Sequence, residues 1–258
     1  MGRHESPVVR HESPGWKGIA RCEGQGIPST WRFHSMNGRF GDRVEAGRYL
    51  AAALRRYAGR PNVLVLALPR GGVPVGYEIA QALRAPLDIM LVRKLGVPGQ
   101  EELAMGAIAS GGIRVISEDV VRALGIPDRE IAMAAAQEQH ELERRERAYR
   151  GDRHPPAVAG KIVILVDDGL ATGATMRAAV AALRAQRPER LVVAVPVGAR
   201  ETCEALRDEV DDVVCARTPE PFLAVGQAYL NFSQTTDEEV RELLHRSAEE
   251  LLAAPRVG

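Results

Sequence analysis

Ile162 to Val166 is a run of five consecutive aliphatic residues that ends abruptly in Asp167-Asp168. It has the length of a strand and is too short for a buried helix. A strand that is apolar at every position needs both faces covered, which is the situation of a central strand in a parallel sheet. Similar runs recur at Val63 to Leu68, Leu87 to Val92 and Leu191 to Val197, with a short one near Val213-Val214. Helical segments lie between or after them: Val73 to Leu83, a long charged helix opened by Pro127 and running to about Tyr149, Gly173 to about Gln186, and Arg200 to about Glu209. An amphipathic helix from about Asp42 to Tyr57, with Val44, Leu50 and Leu54 on one face, precedes the first strand. Ala104 to Ala109 and Ile113 to Ile116 flank Gly111-Gly112 and read as a hairpin. A last helix is expected over Asp237 to Leu252, with Thr236 or Asp237 as its N-cap. Fully apolar strands alternating with helices set the fold class: α/β, with a Rossmann-like parallel sheet.

The chain has 258 residues, 45% of them hydrophobic, enough to bury a core without disulfides or metal. Lys and Arg total 34 and so do Asp and Glu, so no bulk charge attracts nucleic acid. Cys22, Cys203 and Cys215 form no Cys-x-x-Cys pair, which reads as incidental thiols in a reducing, cytoplasmic setting. No apolar run approaches the roughly 20 residues of a membrane span, so no membrane partner is expected. Residues 1–35 differ from the rest: Arg3 to Pro7 is repeated as Arg10 to Pro14, and no helical or strand period runs through the segment. A disordered leader or a misassigned start is expected there, with one domain over 36–258 beginning near Met36.

Ligands of open parallel sheets bind beyond the carboxyl ends of the strands. Three such ends carry unusual residues: Arg70-Gly71-Gly72, Arg93-Lys94, and the stretch from Asp167 to Thr175, which reads D-D-G-L-A-T-G-A-T. In the last, two carboxylates stand at a strand tip and Thr172, Gly173, Ala174 and Thr175 lead into a helix. Unpaired N–H groups at a helix N-terminus suit a phosphate, Gly173 permits close approach, and carboxylates just before it suit the hydroxyls of an attached sugar. The nucleotide motifs G-x-x-x-x-G-K-[ST] and strand-linked G-x-G-x-x-G are absent.

The pattern of four apolar residues followed by D-D-x-x-x-T-G-x-T resembles the phosphoribosyl-pyrophosphate-binding signature of the type I phosphoribosyltransferases. Pro69 to Gly72 resembles that family's pyrophosphate loop, and Val92 to Gly96 resembles the start of its flexible loop. The resemblance implies the family's parallel-sheet core with a small hood built from the chain ends, here about 218–252, and a homodimer. It implies that amides of Thr172 to Thr175, with Ala171 in the same binding loop, hold the 5-phosphate and that Asp167 and Asp168 hold the ribose hydroxyls, directly or through water on Mg2+. Arg70 and Gly71 would present an amide to the pyrophosphate, often through a strained peptide, and Lys94 with Arg93 would neutralise its charge. Phe222 or Tyr229 would stack on the base. The implied activity is Mg2+-dependent transfer of ribose 5-phosphate from phosphoribosyl pyrophosphate to a nitrogenous base such as a purine, with release of pyrophosphate. The chain departs from the family in two places. Hypoxanthine-guanine-type members have an Asp where Ala171 stands, and the Glu of adenine-type members is missing from Leu103 to Gly106. Glu101 and Glu102 are the remaining candidates for the proton acceptor. The same departures motivate the alternative, a non-catalytic sensor of phosphoribosyl pyrophosphate or nucleotide with the same fold.

Overall fold

The structure, a computed structural model, describes residues 8–10, 38–151 and 153–253. Most of the leader therefore lies outside the described residues, as does Cys22. The chain divides into two compact units, one of residues 15–89, 160–172 and 189–258, the other of residues 1–14, 90–159 and 173–188.

The first unit is built on a five-stranded parallel sheet. Its strands are β2 (Val63–Ala67), β3 (Leu87–Ile89), β7 (Ile162–Val166), β8 (Arg190–Val197) and β9 (Asp212–Arg217), in the order β3-β2-β7-β8-β9. Every residue of β2 and β7 is buried, as their unbroken aliphatic sequences require. Helix α1 (Arg43–Ala53) begins at Asp42, whose carboxylate accepts the Glu45 N–H at 2.9 Å, and ends before a 3-10 turn at Arg55–Tyr57. It packs on α2 (Gly72–Leu83) and against β8 and β9, while α2 lies against β2 and β3. Helix α6 (Arg200–Leu206) joins β8 to β9. The segment expected as a hood belongs to this unit. Its final helix α7 (Asp237–Ala253) packs on α2 and β3, and the Thr236 hydroxyl accepts the Glu239 N–H at 3.1 Å. Cys203 and Cys215, distant in sequence, hydrogen-bond to each other beside Gly198.

The other unit holds a mainly antiparallel sheet of β4 (Val92–Val97), β5 (Gln100–Ala109) and β6 (Ile113–Ile116), with β1 (Val8–Arg10) parallel to β6. Helices α4 (Asp128–Arg150) and α5 (Ala174–Ala185) pack on this sheet, and a short α3 (Glu118–Leu124) touches β5. The hairpin of β5 and β6 turns at Gly111-Gly112 as the sequence predicts, both glycines having positive φ. Two expectations need correction. The run from Leu87 to Val92 is not one strand: β3 ends at Ile89, and β4 starts in the other unit at Val92. Arg93-Lys94 therefore does not sit at the end of a parallel strand or in a loop. Both residues lie inside β4, opposite Ile108 and Ala107 of β5. Leu95 and Val97 on β4 and Met105 and Ala107 to Ala109 on β5 are buried, and this shared apolar surface holds the hairpin together despite its charges. Among the described residues no helix is long and apolar enough to cross a membrane.

Candidate active site

The carboxyl ends of β2 and β7 are neighbours because the strands pair in register, Ala67 opposite Val166. This brings the Arg70-Gly71-Gly72 turn against Asp167-Asp168. Leu68 donates to the Val166 carbonyl at 2.8 Å, and the Pro69–Arg70 peptide is cis. A Cβ on Gly71 would lie 2.5 Å from Asp168 Cγ and closer still to its Oδ2, so only glycine fits there. A Cβ on Gly72 would lie 2.8 Å from the Val166 carbonyl oxygen and 2.9 Å from Asp167 Cα. The two glycines let the turn approach the carboxylates to a distance no side chain allows. The Arg70 guanidinium stands 3.7 Å from Asp237, an exposed pair of small energetic weight.

The two carboxylates differ. Asp168 is ion-paired: Arg43 Nε and Nη2 reach its Oδ2 at 2.8 and 2.7 Å, with both side chains largely enclosed. Arg43 is held in turn by the Ser233 carbonyl at 2.7 Å and by the ring of Phe232, whose centroid is 4.0 Å from the guanidinium carbon. Asp167 accepts the Asp168 N–H at 2.8 Å. Burial first, and the charge of Asp168 second, hold the Asp167 carboxyl well above the usual carboxylate range.

Beyond the carboxylates the loop is tied to the end of β8. Leu170 N–H donates to the Val197 carbonyl at 2.8 Å, Ala199 N–H donates to the Leu170 carbonyl at 2.9 Å, and the Thr202 hydroxyl donates to the Ala171 carbonyl at 2.8 Å. Ala171, Thr172, Ala174 and Thr175 are exposed. Gly173 has φ +76° as the residue before α5, and the first helical bond runs from Arg177 N–H to the Gly173 carbonyl at 2.8 Å. The N–H groups of Ala174, Thr175 and Met176 thus have no helical acceptor, the condition that suits an anion.

Arg93 is engaged by Glu138 of α4 at 2.6 Å, and Lys94 is exposed on β4. Glu101 and Glu102 belong to β5, and their side chains lie outside the described residues. Tyr229 is not an open platform for a base. It is 3% exposed in a cluster with Phe40, Ala46 and Val197, and its hydroxyl donates to the Asp168 carbonyl at 2.6 Å. Burial pushes that hydroxyl's pKa up, so it stays a proton donor. Its ring stacks on Phe232 at 5.1 Å, and Phe222 packs half-buried against the same cluster. Sequence reasoning missed Arg43 and Thr202. Arg43 lies 125 positions from its partner, and only its place just after an N-cap Asp marks it at all.

A parallel sheet with a carboxylate pair at its carboxyl edge belongs with the α/β proteins that bind ligands at that edge. Residues 40–232 match the phosphoribosyl transferase domain family, and the chain belongs to it. Two Mycobacterium tuberculosis proteins are 46% identical to it over 208 residues: "Putative phosphoribosyl transferase MT0597" of strain CDC 1551 / Oshkosh and "Putative phosphoribosyl transferase Rv0571c" of strain ATCC 25618 / H37Rv. These matches cover 81% of this chain but 47% of each relative, so the chain spans about half the length of those proteins. The crystal structure of TT1426 from Thermus thermophilus is 42% identical and superposes with a TM-score of 0.73, covering 81% of this chain and 98% of that one.

Proposed function

We propose that the protein transfers ribose 5-phosphate from phosphoribosyl pyrophosphate to a nitrogenous base and releases pyrophosphate. The observation that carries this reading is the loop from Asp167 to Thr175. A carboxylate pair stands at its start, unsatisfied helix N–H groups stand at its end, and the side-chain-free Gly71 lies against the carboxylates. The amides of Thr172 to Thr175 bind the 5-phosphate, and Asp167 and Asp168 accept the ribose 2- and 3-hydroxyls. The Gly71 amide donates to the pyrophosphate in this reading. With the ribose fixed at both ends, C1 is exposed to attack by a ring nitrogen opposite the departing pyrophosphate. The gain in rate comes from positioning and from stabilising the charge that builds on the leaving group.

Mg2+ fits these residues as a substrate-bound ion. Among the described residues no group of three or more metal-ligating side chains exists, and two carboxylates beside a polyphosphate suit an ion that keeps several waters. When bound, it would neutralise pyrophosphate charge. Lys94 and the proton acceptor, Glu101 or Glu102, complete the proposed set.

Calorimetric titration of phosphoribosyl pyrophosphate with magnesium tests the site. Binding is expected in the wild type and is expected to be lost when Asp168→Asn is combined with Thr172→Ala in a protein that stays folded. Unchanged affinity in that variant would refute the assignment. Binding without pyrophosphate release across a broad panel of bases would support the sensor reading, which the alanine at position 171 favours.

A further inference from the structure

The last torsion of an aspartate side chain is broad and nearly two-fold, so nothing within the residue decides which carboxylate oxygen faces a ligand. At Asp168 the neighbours decide it. Both bonds from Arg43, at 2.8 and 2.7 Å, end on Oδ2 and neither on Oδ1. The same oxygen lies hardest against the Gly71 turn: a Cβ built there would overlap Oδ2 but stand 3.1 Å from Oδ1. Oδ2 is therefore engaged within the protein, and Oδ1 is the oxygen left for a ligand.

Arg43 can hold that oxygen because it is itself immobilised. Its Nη1 donates to the Ser233 carbonyl at 2.7 Å, the Phe232 ring covers its guanidinium with the centroid 4.0 Å from the central carbon, and its side chain is only 11% exposed. Phe232 stacks in turn on Tyr229, whose hydroxyl donates to the Asp168 carbonyl at 2.6 Å. The side chain and the main chain of Asp168 thus end on one assembly, made by Arg43 in the first turn of α1 and by the rings of Tyr229 and Phe232. The orientation of the carboxylate is built into the fold, and a ligand need not supply it. A shift of about 1 Å in such a group would be felt by the bound sugar.

We propose that Arg43 is a positioning residue for the transfer reaction: by holding Oδ2 it presents Oδ1 of Asp168 to one ribose hydroxyl, and so sets the preference for a ribose over a deoxyribose 5-phosphate. It acts through Asp168 and makes no contact with the sugar. The proposal rests on the transferase reading above and deepens it by naming what fixes the sugar-binding carboxylate.

The test titrates ribose 5-phosphate, 2-deoxyribose 5-phosphate and 3-deoxyribose 5-phosphate calorimetrically into the full chain with magnesium present. The wild type should bind ribose 5-phosphate about tenfold or more tightly than the analogue that lacks the hydroxyl facing Asp168. Arg43→Gln should weaken ribose 5-phosphate about tenfold and leave that one analogue within about twofold, so that the preference disappears. Arg43→Lys keeps the charge but not the spread of donors that reaches Oδ2 and Ser233 together, and should retain part of the preference. Phe232→Leu leaves Arg43 and Asp168 in place and removes only the ring over the guanidinium. It should reduce the preference in the same pattern but by less, and it decides the matter if Arg43→Gln does not fold. Equal weakening of all three ligands by Arg43→Gln would mark a merely structural residue and overturn the proposal. So would a preference that survives both Arg43→Gln and Phe232→Leu, or a wild type that binds both analogues as tightly as ribose 5-phosphate. Each of these outcomes leaves the transferase reading in place provided the wild type binds phosphoribosyl pyrophosphate, and failure of that binding overturns both.

Discussion

Gly71→Ala is a sharp probe of the carboxylate pair, because φ at Gly71 is −62° and alanine adopts that backbone without strain. The whole effect must then be steric. The new methyl would sit 2.5 Å from Asp168 Cγ, against a comfortable carbon–carbon separation of about 3.5 Å, so the carboxyl must retreat by about 1 Å. The Arg43 bonds to Oδ2, now 2.7 and 2.8 Å, would stretch to about 3.7 Å and cease to be hydrogen bonds. Losing charge-assisted bonds in a largely enclosed pair costs about 1.5–3 kcal/mol, and residual overpacking costs about 1 kcal/mol or more. The stiffer unfolded chain returns about 0.4–1 kcal/mol. The net loss is about 2.5 kcal/mol, or a fall in Tm of about 5–10 °C for a protein of this size. The assay is thermal and urea denaturation of a four-member cycle: wild type, Gly71→Ala, Asp168→Ala and the double variant. Removing the carboxylate first should make the glycine substitution nearly free, giving a coupling of about 2 kcal/mol. A Gly71→Ala protein as stable as the wild type, or a cost that persists without the Asp168 side chain, would refute the reasoning.

Two further outcomes are expected. Tyr229→Phe keeps the ring in its cluster but leaves the Asp168 carbonyl without its donor, and should cost about 1–3 kcal/mol in urea denaturation with the fold intact. Asp167→Asn should stabilise the unliganded protein near pH 8. The folded-state pKa of Asp167 is raised, so its contribution is most favourable below the ordinary aspartate pKa of about 3.9 and is lost as pH rises through the folded value. The advantage of the asparagine variant should therefore shrink as pH falls toward about 4. A difference between the two proteins that does not change with pH would contradict this.

The sequence is legible where a signal is local. β7 and its Asp167-Asp168 ending are contiguous, and the aliphatic run can only be a buried strand. The Gly111-Gly112 turn and the Thr236 cap are equally local. The passage from β3 to β4 is hidden because Met90 and Leu91 are apolar and buried like the strands on either side, so the run shows no break. Helix α3 escapes notice because it is seven residues long and buries none of them fully, leaving no periodic pattern. Tyr229 stands out as an aromatic near the site, but composition cannot separate a ring that faces a ligand from one that holds the backbone beneath it. Arg43 reaches Asp168 across a distance in sequence that no spacing rule spans.

The strand-like pairing near Phe40 has a consequence for how such a domain can be combined with others. Phe40 N–H donates to the Ala228 carbonyl, Leu230 N–H donates to the Phe40 carbonyl, and Asn231 N–H donates to the Gly41 carbonyl. The family match runs from residue 40 to residue 232, so its two boundaries are stitched side by side. A module whose entry and exit meet can be spliced into a longer polypeptide, or have its ends joined and be reopened elsewhere, without pulling its sheet apart. Arg43 and Tyr229, one from each edge of that seam, both bond to Asp168, so cutting either edge away would remove one of its partners.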